Sequence, residues 1–153
     1  MTGSSSNRNK TITDLLNATY VSLKSVVPLP YQISKPALLG KSLLIEFGVL
    51  IGITGDIKGK LILGGEQAIF QTIGESMFGM ALEGEMLTSF SGELGNMLAG
   101  NLATNIVKSG INTDITSPTI MDGQTSISGY KQALQLTALF EQAGDLNIYL
   151  LMD

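Results

Sequence analysis

The sequence has no cysteine and no histidine among its 153 residues. The first absence removes thiol nucleophiles and disulfides, and the second removes imidazole bases. Together they remove the usual zinc and copper ligands, so any chemistry falls to carboxylates, amides, hydroxyls or lysine. Basic residues are also few: nine Lys and Arg face 13 Asp and Glu, for a formal net charge of −4. They are scattered along the chain rather than gathered into a stripe, which argues against a nucleic-acid partner. Long apolar runs are missing too. Glu46, Asp56 and Lys58 interrupt the most hydrophobic stretch, and nothing reaches the roughly 18 residues that a membrane-crossing helix needs. The opening segment 1–10 is polar and rich in Ser and Asn, unlike a signal peptide. These absences lead to the expectation of a soluble cytoplasmic protein that contacts neither membrane nor nucleic acid. No metal site is expected either, because Glu83, Glu85 and Glu93 lack the closely placed acidic neighbours that hold Mg²⁺ or Ca²⁺.

What is present suffices for one core, since 44% of the residues are hydrophobic. The organisation expected is a disordered segment 1–10 followed by a single domain at 11–153. Thr11 or Thr13 can cap a first helix that Pro28 and Pro30 end. Extended structure follows over 31–39, and 42–63 reads as an antiparallel hairpin turning at Thr54-Gly55-Asp56 and closed off by Gly64 and Gly65. A second helix spans 66–78, stopped by Gly79, and a third about 85–108, stopped by Gly110. Three strands then fall around 115–121, 132–141 and 145–151. The fold class predicted is α+β, a mostly antiparallel sheet of about six strands with three helices on one face.

The third helix is the longest periodic segment. At about 100° per residue, Phe90, Leu94, Met97, Leu98, Leu102 and Ile106 share its buried side, with Asn101 and Asn105 also turned inward and in need of internal partners. Ser89, Glu93, Asn96 and Gly100 form a polar stripe on the opposite side. Gly92, Gly95, Ala99 and Ala103 flank it, and such small side chains read as a surface made for close approach by a macromolecule. Glycines inside a helix each cost about 0.5–1 kcal/mol relative to alanine, so this cluster calls for a packing or functional reason. Spacing alone leaves two readings open: a solvated face, with the glycines letting the third helix pack tightly on the first, or a site built from Glu93 and Asn96. Met77, Met80, Met86 and Met97 lie near the second and third helices and read more readily as core filling than as a plastic binding surface.

The run Ser89-Phe-Ser-Gly-Glu93-Leu-Gly-Asn96-Met-Leu-Ala-Gly-Asn101, followed after a spacer by Ser117-Pro118, resembles the signature of the CheC-like chemotaxis phosphatases. The single Glu-x-x-Asn motif, the chain length and the turn Thr54-Gly-Asp-x-x-Gly59 are more similar to the CheX type than to the two-site CheC type. The resemblance covers nearly the whole chain from the first helix to Asp153. It implies the CheC-like fold and a phosphatase acting on the phospho-aspartate of a CheY-like receiver domain. Glu93 and Asn96 would be the catalytic pair, Asn96 orienting the attacking water and Glu93 binding the receiver's active-site lysine. Ser89, Gly92, Gly100 and Pro118 would meet the partner. No intrinsic cofactor is implied, Mg²⁺ coming with the receiver, and a homodimer is expected. The alternative is a noncatalytic receiver-binding module, as in flagellar switch components of the same fold. One departure from the pattern is Asp14 and Asn17 in the first helix, which imitate the motif with the shorter acid.

Overall fold

The computed structural model describes residues 2–141 and 143–153, with side chains from Asn9 onward. In chain order the elements are α1 (Thr2–Val26), β1 (Gln32–Ile33), β2 (Ala37–Leu38), β3 (Ser42–Gly55), β4 (Gly59–Gly65), α2 (Gln67–Phe78) and α3 (Gly84–Ile106). A 3-10 turn at Val107–Ser109 leads to β5 (Thr113–Ile115), β6 (Thr119–Ser128), β7 (Gln132–Phe140) and β8 (Gly144–Met152). The helices fall close to the predicted positions, except that α1 begins well before Thr11. Thr13 lies in its interior, donating its hydroxyl to the Asn9 carbonyl at 3.0 Å, and Lys10 reaches Asp14 at 3.0 Å one turn on. Residues 2–10, assigned to a disordered start from their composition, continue this helix.

All strand pairs are antiparallel, and the sheet has eight strands rather than six, in the order β1-β7-β8-β4-β3-β5, with β2 also on β7 and β6 also on β3. The strand expected over 115–121 is two strands. Thr116 still donates its N–H to the Gly52 carbonyl at 3.0 Å, Ser117 and Pro118 leave the ladder, and β6 then runs on to Ser128 along the first part of β3.

The three helices cover one face. There Phe47, Val49, Ile51 and Ile53 of β3 join Leu61, Leu63, Leu136, Ile148 and the inner sides of the helices in the main core. At 25 cal/mol per Å² or so of apolar surface removed from water, this layer supplies most of the driving force for folding. The pairing register of β3 with β6 shifts between Ile45 and Phe47. Beyond the shift the inward residues change sides: Leu43 and Ile45 meet Ile62, Met121, Tyr149 and Leu151 in a second cluster without helices. Burial there pushes the Tyr149 phenol above its ordinary range. Among the described residues no helix is long and apolar enough to cross a membrane.

Candidate functional site

Helix α3 is held from two sides. Toward the sheet, Gly95 lies so close to β3 that a Cβ there would stand 2.7 Å from Val49 Cγ1 and 3.2 Å from Ile51 Cδ1. Both neighbours are β-branched and stiff, so only glycine lets the helix sit at this depth. Toward α1, the Asn105 amide donates to the buried Ser22 hydroxyl at 3.2 Å and to Asn101 Oδ1 at 3.0 Å. The two asparagines that the helical wheel turned inward therefore find their partners in each other and in α1. Phe90, Leu94, Leu98, Leu102 and Ile106 are buried as predicted, while Met97 is partly buried against the same core.

With those two sides fixed, the remaining arc faces outward. Ser89 and Glu93 are exposed, and Asn96 and Gly100 are half-buried along the same line. Glu93 and Asn96 are three residues apart, about 4.5 Å of rise along the axis and on one side of it. Among the described residues the ion pairs are Lys10–Asp14 and Lys60–Asp153, neither of which involves Glu93. Among the same residues neither the Glu93 carboxylate nor the Asn96 amide makes a side-chain hydrogen bond. A carboxylate and an amide with free valences thus point the same way from one rigid helix. The pair can accept a cation at Glu93 and position a water or an oxygen at Asn96.

The other residues singled out in the sequence divide. Gly100 has open space on its outer side, with no heavy atom within 4 Å of an added Cβ. Gly92 does not share that position. It is buried, and a Cβ added there would stand 3.6 Å from Pro118 Cγ and 3.6 Å from Ile120 Cδ1. Its place is under the loop that leads into β6, whereas Pro118 itself is exposed beside it. Gly95 and Ala99, which the sequence suggested for approach by a partner, are buried within the chain. Their small size serves the seating of α3 on the sheet.

The echo of the motif in α1 is not equivalent. Asp14 is engaged by Lys10 and its side chain is only 18% exposed, so it lacks the free carboxylate found at Glu93.

What the sequence missed lies just beside the pair. A groove of about 580 Å³ runs along the first turns of α3, with Ser89 and Glu93 on its wall and the side chains of Phe78, Met80 and Met86 around it. Of the four methionines read as core, Met77 and Met97 are partly buried against it, but Met80 and Met86 are about half exposed, at 51% and 52%. The signal available in the sequence was the position of Met80 after the Gly79 stop and of Met86 on the same helix side as Ser89 and Glu93.

An antiparallel sheet covered on one face by three helices in this order is the CheC-like arrangement. A CheC-like superfamily protein from Shewanella sp. PV-4 superposes with a TM-score of 0.76 at 24% identity, over 93% of this chain and 96% of that one. The family described as chemotaxis phosphatase CheX matches residues 47–141, and the chain belongs to that family. Among its relatives is the CheY-P phosphatase CheX of Thermotoga maritima, 29% identical over 141 residues, which are 89% of this chain and 91% of the relative. The CheX of a CheX–CheY–BeF3–Mg²⁺ complex from Borrelia burgdorferi has the same fold, with a TM-score of 0.75 at 20% identity over 92% of this chain and 96% of that one.

Proposed function

We propose that this protein hydrolyses the phospho-aspartate of a CheY-like response regulator, with Glu93 and Asn96 as its working pair. The observation that carries the assignment of residues is their common outward placement on α3, about one turn apart and, among the described residues, without a side-chain partner. An acyl phosphate is reactive enough that orienting the nucleophile is the main task left for a helper protein. In the docked complex the Asn96 amide holds a water in line with the phosphorus. The water oxygen forms the new bond to phosphorus as the bond to the aspartyl oxygen breaks, leaving a free carboxylate and inorganic phosphate. Glu93 meets the receiver's active-site lysine, a charge-assisted contact that fixes register and brings the amide to its place. Mg²⁺ belongs to the receiver in this scheme. A hundredfold acceleration corresponds to about 2.7 kcal/mol of transition-state stabilisation, within reach of one oriented amide and one docked ion pair. Membership in the CheX family supports the reaction class, and the complete lack of imidazole and thiol is compatible with a mechanism based on position alone.

The test is phosphate release from a phosphorylated receiver in the presence of catalytic amounts of the protein. Asn96→Ala is expected to bind the receiver and to lose at least tenfold in turnover. Glu93→Ala is expected to lose both binding and turnover. Unchanged release by Asn96→Ala would remove the water-positioning role, and a wild-type protein that binds but never accelerates decay would be a receiver-binding module instead. As a terminator of receiver signalling the protein works in the cytoplasm and as a homodimer. Support for the dimer comes from β6, which pairs with β3 on one side and presents ten residues of strand on the other.

A further inference from the structure

The groove beside Glu93 is built differently from the rest of the surface. Phe78, at the end of α2, is 59% exposed, and with Met80 and Met86 it forms a cluster of large apolar side chains in water. Contiguous exposure of this kind marks a contact surface more often than scattered single residues do. The cluster is also held in place. Gly79 closes α2 with a left-handed backbone at φ 71°, and Leu82, three residues on, is buried and anchors the connecting loop. Gly74 makes the anchor possible, because a Cβ there would lie 2.6 Å from Leu82 Cδ1. Phe78 in turn stacks edge-on against Phe90, ring centroids 5.7 Å apart. The loop is thereby pinned, with Met80 and Met86 both lining the groove.

We infer that this groove is the docking surface for the receiver domain itself, taking apolar side chains that border the receiver's phosphorylated pocket. The inference rests on the function proposed above for Glu93. Ser89 and Glu93 are part of the groove wall, so a protein whose pocket admits the Glu93 carboxylate is brought against the apolar cluster next to it. A specific interface occupies about 800 Å² on each partner, more than Glu93 and Asn96 can present together, and the neighbouring apolar groove is the surface that makes up the difference. Glu85 and Glu93 on its margin require cationic groups beside the partner's apolar ones. Methionines suit such a seat because unbranched, polarizable side chains repack around different shapes, which lets one protein serve several related receivers.

The experiment uses the full chain with Met80→Lys and Met86→Lys together, compared with Met80→Leu and Met86→Leu. Both positions are half exposed, and thermal melting checks that the fold persists. Steady-state phosphate release against receiver concentration should show KM raised at least tenfold for the lysine variant with kcat within twofold of the wild type, and near-normal KM for the leucine variant. An unchanged KM in the lysine variant, with Asn96→Ala still inactive, overturns the groove while leaving the phosphatase intact. If the wild type accelerates nothing, the functional reading fails separately, and calorimetric binding of beryllofluoride-activated receiver decides the groove: binding lost only in the lysine variant upholds it, and equal binding ends it. Conversion of a dimeric wild type into a monomeric lysine variant would overturn the proposal in favour of a second copy of this chain as the occupant.

Discussion

Glycine does two opposite things on α3, and the difference is measurable. At Gly95 an added methyl meets Val49 at 2.7 Å, so Gly95→Ala must push the helix off the sheet, and a loss of about 1–3 kcal/mol is expected, the usual cost of overfilling a packed layer. At Gly100 nothing stands within 4 Å. Gly100→Ala should raise stability by about 0.5–1 kcal/mol through helix propensity and at the same time slow phosphate release, because the methyl intrudes where the receiver comes close. Denaturant titration and a phosphate-release assay on the two variants separate the roles. Failure to see opposite signs in stability would show that the seat of α3 is looser than Val49 implies. The polar pair itself was legible in the sequence, since Ser89, Glu93 and Asn96 fall outside any apolar stripe drawn through Phe90, Leu94 and Leu98. Which flank of that stripe meets the sheet was not legible. Gly92, Gly95 and Ala99 looked like a surface for a visitor because their contacts with β3 and with Pro118 come from residues distant in the chain.

At the scale of elements, α3 is positioned by its neighbours rather than by its own propensity. The link from Asn105 to Ser22 and Asn101 is the polar part of the α1–α3 contact. Asn105→Ala removes both hydrogen bonds and is expected to cost about 1–2 kcal/mol, lowering the melting temperature by about 2–8 °C for a domain of this size. Turnover per folded molecule should stay near wild type, because Asn105 lies about two and a half turns from Asn96, on the inner side. A large drop in kcat without a drop in melting temperature would contradict this division. The helices were readable because 3.6-residue periodicity and the stops at Gly79 and Gly110 agree. β6 was not. Its last seven residues, from Asp122 to Ser128, are polar apart from Ile127 and mostly exposed at the sheet margin, so they carry little of the apolar alternation by which strands are recognised. The two-residue strands β1 and β2 escape for a related reason: their pairing with β7 is dictated by a partner about a hundred residues away.

For the molecule as a whole, the strand β6 and the groove at α3 share no residue. A dimer formed through β6, as proposed, would therefore leave the groove free for the receiver. Light scattering is expected to give twice the mass of the chain, and addition of activated receiver should raise it toward a two-to-two complex. A mass that falls to one chain plus one receiver would mean that the two contacts compete. The second apolar cluster, on the face without helices, is the large feature that composition and periodicity concealed. It depends on the change of sides between Ile45 and Phe47, a single irregularity that no local pattern announces.

Helix α3 touches α1, α2 and four strands of the sheet, and this has a consequence for how the protein fails. Melting of α1, α2 or any of those four strands removes a support of the helix that aligns the carboxylate and the amide. Thermal inactivation and loss of helical signal should therefore follow one curve, making the protein an all-or-none device whose working lifetime is that of its fold.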